Sequence, residues 1–299
     1  MPLILDGKAA AAAIREKLQR EVQALAEQGQ RPPHLAAILV GSDGASETYV
    51  FAKKKACDTA GFLSSVIRLP EDISEDALLA EIHSINQNPD IDGLIVQLPL
   101  PAHISERAVM DAIVPEKDVD GFHDRNIGKL AKGNPDFIPA TPLGILLLLQ
   151  HYGIDPVGKH CVILGRSNIV GRPLSILLSL PGKNGNSTVT LCHSRTQNLS
   201  SHTKSADILV AALGRPRFVG ADMVKPGAVV VDVGITRVDA PELKSGYRLH
   251  GDVDFDAVAP LCEAITPVPG GVGPMTIAGL LMNTMKARKL QLQLQSHTA

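Results

Sequence analysis

Tyr49 and Lys53 stand four residues apart in ASETYVFAKKKACDTAGF. On a helix they share one face, while Lys54 and Lys55 point elsewhere. A lysine held beside an aromatic ring in a cleft can fall well below its ordinary pKa of about 10.4, because desolvation disfavours the ammonium, and it can then exchange protons near neutrality. The spacing alone equally allows three solvated lysines and a partly buried tyrosine. Gln97 interrupts the apolar run IVQLPLP just before Pro99, so its amide is either satisfied by backbone or aimed at a ligand. The carboxyl end of a strand favours the ligand. Asp118 and Asp120 in PEKDVDGFH are read as leaving a helix into a glycine turn, where most acids serve only as caps.

A second kind of chemistry is suggested by CVILGRSNIVGRPLS, residues 161 to 175. Gly165 ends an apolar, strand-like run and lets the backbone turn toward a pyrophosphate; Gly171 allows close approach before Pro173, a good first-turn residue. The two glycines are too far apart for G-x-G-x-x-G, and arginine and serine occupy the place of its second glycine. An NAD site would end its next strand in Asp or Glu about 20 residues onward. Here Cys192, His193, Ser194, Arg195 and Thr196 follow STVTL, with no carboxylate. Arg166, Ser194 and Arg195 suit a 2′-phosphate, which predicts NADP rather than NAD. Plain turn glycines beside solvated arginines remain the alternative at this point. A Ser/His hydrolase finds no support, since there is no G-x-S-x-G elbow and Ser167 lies in the phosphate turn.

These groups need sheet edges to stand on. Asp6 is read as capping a helix to about Gln28, with Ile14, Leu18, Val22 and Leu25 at helical spacing, before the buried strand HLAAILVG. A helix over 45–60, the strand SSVIRL, a helix from Glu75 to Asn86 and the strand DGLIVQLPL are expected next. Strands interleaved with helices imply a parallel sheet that binds ligands at its carboxyl edge. GFHDRNIGKLAKGNPDFIPATP reads as a connection between domains. Thr141 and Pro142 then give an N-cap and first-turn signal for the helix TPLGILLLLQHYG, expected to be buried on both faces. The alternation resumes with KHCVILG, a helix from Pro173, STVTLCH, ADILVAAL and AVVVDVG. ITPVPGGVGPMTIAGLLMNTMKA is expected to begin as a loop and become a helix of about four turns that packs back on the first domain.

At 299 residues two domains are expected. A net charge of −2 gives no electrostatic case for nucleic acid, and four scattered cysteines without a C-x-x-C pair indicate neither zinc nor a disulfide framework. No metal is therefore expected. The first residues lack a basic flank before an apolar core, and the longest apolar run, Ile145 to Leu149, is too short to span a bilayer. The expectation is a cytoplasmic protein with no membrane partner.

Taken together, YVFAKKKACDTAGF at 49–62 and PVPGGVGPMT at 267–276, with VQLPLP, PEKDVDGFH, NIGKL, TPLG, GRSNIVGRP, CHSRT and GDVDF between them in order, resemble the bifunctional methylenetetrahydrofolate dehydrogenase/cyclohydrolase family over nearly the whole chain. Ala140, where many relatives have Cys, and Leu143, where a basic residue is common, depart from that pattern.

The resemblance implies an α/β protein of two domains: an N-terminal α/β folate-cleft domain, 1–139, completed by a C-terminal helix 274–299, and a Rossmann-type NADP-binding domain, 140–273. It implies NADP-dependent oxidation of 5,10-methylenetetrahydrofolate to 5,10-methenyltetrahydrofolate and hydrolysis of that product to 10-formyltetrahydrofolate, in one-carbon metabolism serving purine, methionine and histidine biosynthesis. Carried over by motif, Lys53 is the catalytic lysine, Gln97 its partner, Tyr49 the residue packed on the folate and Asp120 the carboxylate that grips the pterin. Pro269, Gly270, Gly273 and Thr276 would lie along the substrate or nicotinamide. Thr141, Gly165, Arg166, Ser167, Ile169, Val170, Gly171, Arg172, Pro173, His193, Ser194, Arg195, Thr196, Gly214, Gly234 and Ile235 would contact NADP. A homodimer, formed through the cofactor domain, is also implied. Two rivals stand beside this reading: a dehydrogenase of similar shape acting on a non-folate small molecule, in which Gln97 and Asp120 would not contribute to folate affinity, and a non-catalytic dinucleotide-binding regulator, indifferent to loss of Lys53.

Overall fold

The computed structural model describes residues 1–242 and 246–298. In chain order its elements are β1 (Leu3–Ile4), α1 (Gly7–Glu27), β2 (His34–Val40), α2 (Gly44–Ala60), β3 (Leu63–Leu69), α3 (Glu75–Gln87), β4 (Gly93–Val96), α4 (Glu106–Ala112), α5 (Asp124–Ala131) and α6 (Ala140–His151). They continue with β5 (His160–Leu164), α7 (Gly171–Ser179), β6 (Thr188–Cys192), α8 (Leu199–Thr203), β7 (Ile208–Ala211), β8 (Val229–Asp232), β9 (Thr236–Asp239), β10 (Tyr247–His250), α9 (Phe255–Val258), β11 (Ala264–Ile265) and α10 (Val272–Thr298). Backbone contacts divide the chain into two compact units: Ala12–Ala140 with Ile277–Ala299, and Met1–Ala11 with Thr141–Thr276.

In the unit containing Lys53, three parallel strands run in the order β3-β2-β4. Successive side chains of a strand point to opposite faces. Thus Leu35, Ala37 and Leu39 of β2 join Leu18, Val50, Cys57, Leu281 and Met285 in one core, while Ala36, Ile38 and Val40 join Leu78, Ile82, Leu94 and Val109 in another. Helices cover both faces, which explains why β2 reads as a continuous apolar run. The carboxyl ends of the strands are left for chemistry.

The other unit holds six strands in the order β1-β11-β8-β7-β5-β6, every neighbouring pair parallel. Its core collects Val162, Leu164, Leu209, Ala211 and Val230 from the central strands. Asp6 caps α1 as expected, its carboxylate accepting from Lys8 N at 2.8 Å and Ala9 N at 3.2 Å. Helix α6 buries Leu143, Ile145, Leu146, Leu148 and Leu149, in line with its apolar pattern.

Several expectations are corrected. Strand β4 stops at Val96, so Gln97 lies just beyond its end rather than inside it. Asp118 and Asp120 do not leave a helix, because α4 already ends at Ala112. The proposed connection after Asp120 contains α5, whose first turn His123 caps by accepting from Arg125 N. Thr141 is not an N-cap, since α6 begins at Ala140; its hydroxyl meets Thr276 Oγ1 at 3.1 Å. Helix α10 runs for 27 residues instead of about four turns. β1 and β11, at two residues each, are too short to show a period, and the β9–β10 hairpin was likewise not foreseen.

Candidate active site

Helix α2 starts where Asp43 accepts from Ser46 N at 2.8 Å and stops at Gly61, whose φ of 78° closes the last turn. Between these caps Ser46, Val50, Cys57 and Ala60 form its buried stripe. Lys53 falls on the same stripe and is half-buried, whereas Lys54 and Lys55 are exposed and Lys54 pairs with Asp58 at 2.9 Å. The solvated-lysine alternative is therefore excluded for Lys53. Tyr49, one turn earlier, is 40% exposed.

Lys53 Nζ donates to Gln97 Oε1 at 3.1 Å, and Gln97 Nε2 donates to Leu98 O at 2.7 Å. An ammonium can only donate and a carbonyl can only accept, so both contacts fix the same orientation of the amide. Gln97 N also donates to Ile38 O at 2.9 Å, anchoring the residue at the carboxyl edge of the sheet. The peptide bonds Leu98–Pro99 and Val268–Pro269 are cis.

Asp120 completes this edge. Burial pushes its carboxyl above the usual range, the nearby Lys53 ammonium opposes that rise and Asp118 adds to it. Part of the residue still touches solvent, and no hydrogen-bond donor among the described residues reaches its carboxylate. Asp118 does the capping that was expected of both acids. It accepts from Gly121 N at 3.0 Å, Phe122 N at 3.1 Å, His123 N at 2.8 Å and Asn126 Nδ2 at 2.8 Å.

The loop carrying Asp120 is held from several other sides. Buried Lys117 donates to Ile85 O and Asn88 O at the end of α3, and desolvation lowers its pKa. Ala140 N donates to Asp120 O, and Asn283 Nδ2 of α10 donates to Val119 O and Ile138 O at 2.8 Å each. None of these anchors was singled out in the sequence, because Asn283 lies 164 residues from its partner Val119. Removing the carboxylate in Asp118→Ala strands the N–H groups of Phe122 and His123 and one amide hydrogen of Asn126, while Gly121 N keeps the Asp118 carbonyl at 3.2 Å; each stranded donor costs about 1–3 kcal/mol when buried and unpaired. Urea unfolding is expected to show a loss of at least about 3 kcal/mol.

The second set of residues gathers at the carboxyl ends of β5 and β6. Register places Leu164 beside Cys192, and Gly165 N donates to Cys192 O at 3.0 Å. Gly165 has φ 112°, and a Cβ on Gly171 would stand 2.0 Å from Gly165 O, so the turn closes on itself through its two glycines. Ser167 Oγ accepts from Val170 N at 3.1 Å. Val170 and Pro173 are buried and shape the turn from beneath; Arg166, Ser167 and Ile169 are exposed. Arg172 donates to Asn168 Oδ1 at 3.1 Å.

In the next turn, Thr196 Oγ1 accepts from His193 N at 2.9 Å and His193 Nδ1 accepts from Arg195 N at 3.1 Å, leaving Ser194 and Arg195 exposed. The arginines Arg166 and Arg195 form no ion pair among the described residues. Their donors, with no carboxylate at the end of β6, fit the phosphorylated ribose of NADP and not the free 2′-hydroxyl of NAD.

The matched family models join these two halves. One, Tetrahydrofolate dehydrogenase/cyclohydrolase, catalytic domain, covers residues 5–120, and the other, Tetrahydrofolate dehydrogenase/cyclohydrolase, NAD(P)-binding domain, covers residues 139–292. The chain belongs to the tetrahydrofolate dehydrogenase/cyclohydrolase family. Among its relatives in that family is the bifunctional protein FolD of Porphyromonas gingivalis, 57% identical over 96% of this chain and 97% of the relative. The FolD methylenetetrahydrofolate dehydrogenase/cyclohydrolase of Campylobacter jejuni superposes with a TM-score of 0.90 at 47% identity, covering 97% and 99% of the two chains. The Trypanosoma brucei methylenetetrahydrofolate dehydrogenase-cyclohydrolase, solved with NADP cofactor and inhibitor, gives a TM-score of 0.93 at 39% identity, covering 98% and 99%.

Pro269 is exposed, Gly270 and Gly273 are partly exposed, and Thr276 meets Thr141. Gly214 and Ile235 are exposed at the ends of β7 and β8. Gly234 is buried, and a Cβ there would stand 2.4 Å from the Asp252 carboxyl, so packing by itself demands glycine.

Proposed function

We infer that this chain is a bifunctional one-carbon folate enzyme. It oxidises 5,10-methylenetetrahydrofolate with NADP to 5,10-methenyltetrahydrofolate and hydrolyses that product to 10-formyltetrahydrofolate. The observation that carries the reading is the Lys53–Gln97 hydrogen bond at a strand edge shared with the electrostatically coupled Asp120. Bound NADP supplies the hydride acceptor. The chain's own work is to align the folate and to manage protons.

The Asp120 carboxylate would accept the adjacent N–H donors of the pterin, and Tyr49 would stack on the ring. Lys53, oriented by Gln97, would move the protons required when water adds to the methenyl carbon and the ring opens. Residues 12–140 with 277–299 would hold the folate, since the first eleven residues fold with the other unit; Pro269, Gly270, Gly273 and Thr276 would add backbone and hydroxyl contacts. Residues 141–273 would hold NADP through Thr141, the turn at 165–173, the turn at 193–196, and Gly214, Gly234 and Ile235. No described helix is long and apolar enough to cross a membrane. A cytoplasmic homodimer is the assembly proposed, and light scattering at assay concentration reporting a monomer would refute it.

The direct test is anaerobic turnover of purified protein with 5,10-methylenetetrahydrofolate, following reduced nicotinamide and methenyl absorbance together. Product with NADP, and far less with NAD, is expected. Folded protein inert with both cofactors would overturn the assignment.

A further inference from the structure

Asp232 and Asp252 have no part in the chemistry above, yet both are buried, at 3% and 0% exposure. They occur in two reciprocal segments, Asp232-Val233-Gly234 and Gly251-Asp252. Asp232 Oδ1 accepts from Gly234 N at 3.0 Å and Asp252 N at 2.9 Å, and Asp232 Oδ2 accepts from Val253 N at 2.9 Å. Asp252 in turn accepts from Leu213 N, from Gly214 N at 3.1 Å and from Arg215 N at 2.7 Å.

The glycines interlock in the same way. A Cβ on Gly251 would stand 1.9 Å from Asp232 Oδ2, and one on Gly234 would stand 2.4 Å from the Asp252 carboxyl. Each segment thus supplies a carboxylate and also the glycine that makes room for the other's carboxylate. The two acids together bind six backbone N–H groups, spread over the loop after β7, the loop after β8 and residues 252–253. Burial pushes the Asp232 carboxyl up to about 7, with donation from Val253, Asp252 and Gly234 opposing the rise and the Asp252 charge adding to it.

Gly214 shows what this device sets. Its φ is 67° and a Cβ would meet nothing within 4 Å, so this glycine serves a backbone conformation and not a tight fit. The conformation is fixed from below by Asp252. We propose that Asp252, seated on Asp232, is a positioning residue for NADP: it fixes the backbone of the loop after β7, while Asp232 holds Gly234 of the loop after β8, and the dinucleotide would rest on both. The proposal rests on the NADP reading above. It does not involve the Lys53 chemistry.

The test compares wild type with Asp252→Asn, which keeps the shape but replaces one acceptor oxygen by a donor that opposes backbone N–H groups. Titration calorimetry should show NADP binding weakened at least about 10-fold, the equivalent of losing one charged hydrogen bond. The KM for NADP should rise in parallel while dehydrogenase kcat stays within about 3-fold. Cyclohydrolase activity on supplied 5,10-methenyltetrahydrofolate, assayed without NADP, should stay within about 2-fold. Unchanged NADP affinity in folded Asp252→Asn would overturn the proposal, as would a matching fall in cyclohydrolase activity, which marks a general structural role. Should Asp252→Asn not fold, Asp232→Asn is read the same way, since it weakens acceptance from Gly234 N, Asp252 N and Val253 N and so shifts the Asp252 carboxylate away from the loop after β7. Wild-type protein that binds no NADP would sink the cofactor reading itself, a result distinct from wild type and variant binding alike.

Discussion

Lys53→Ala is expected to fold normally and to lose cyclohydrolase activity by about 10²–10⁴-fold, the range associated with a positioned acid–base group. The lysine is half-buried on the inner stripe of α2, and its ammonium already has a defined partner in Gln97 Oε1. Truncation removes the proposed proton carrier and leaves Gln97 bonded to Leu98 O, so the sheet edge itself should survive. Lys53→Arg should not restore the rate, because a guanidinium keeps its proton at any working pH. The decay of methenyl absorbance in the absence of NADP reports the step directly. Cyclohydrolase activity near wild type in Lys53→Ala would remove this residue from the mechanism and leave Asp120 as the candidate to examine.

The positions of Lys53 and Gln97 were legible in the sequence for different reasons. Helical spacing put Tyr49 and Lys53 on one face, but it could not tell a solvated lysine from one on the buried stripe; that follows from Ser46, Val50 and Cys57 turning inward. Gln97 announced itself as a polar residue before a proline, although the strand ends one residue sooner than the apolar pattern suggested. Asp118 and Asp120 looked alike as turn acids. Only the tertiary structure separates them, giving four donors to Asp118 and none to the carboxylate of Asp120 among the described residues.

What stayed hidden was the support from afar. Asn283 reaches carbonyls 164 and 145 residues away, and Asp252 reaches amides about 40 positions earlier. No local period or motif spacing encodes such contacts. A polar residue in the middle of α10 or a short Gly-Asp pair is unremarkable until the chain is folded around it.

Replacing both Arg166 and Arg195 by alanine is expected to raise the KM for NADP by about 10²–10⁴-fold while leaving the KM for NAD nearly unchanged. Each residue sits in an exposed turn at the carboxyl end of neighbouring parallel strands, β5 and β6, which run side by side about 4.8 Å apart. Neither is spent on an internal ion pair among the described residues, so neither has a structural duty to lose. A charge-assisted hydrogen bond to phosphate is worth about 1.5–3 kcal/mol, and two of them convert to the stated range. NAD lacks the 2′-phosphate and would feel only the loss of positive field. The ratio of kcat/KM for the two cofactors should therefore collapse toward unity, and raising ionic strength should reduce the wild-type preference in the same direction. An unaltered cofactor ratio in the double variant would mean that the 2′-phosphate is read elsewhere, and the absence of a carboxylate after β6 would then need another explanation.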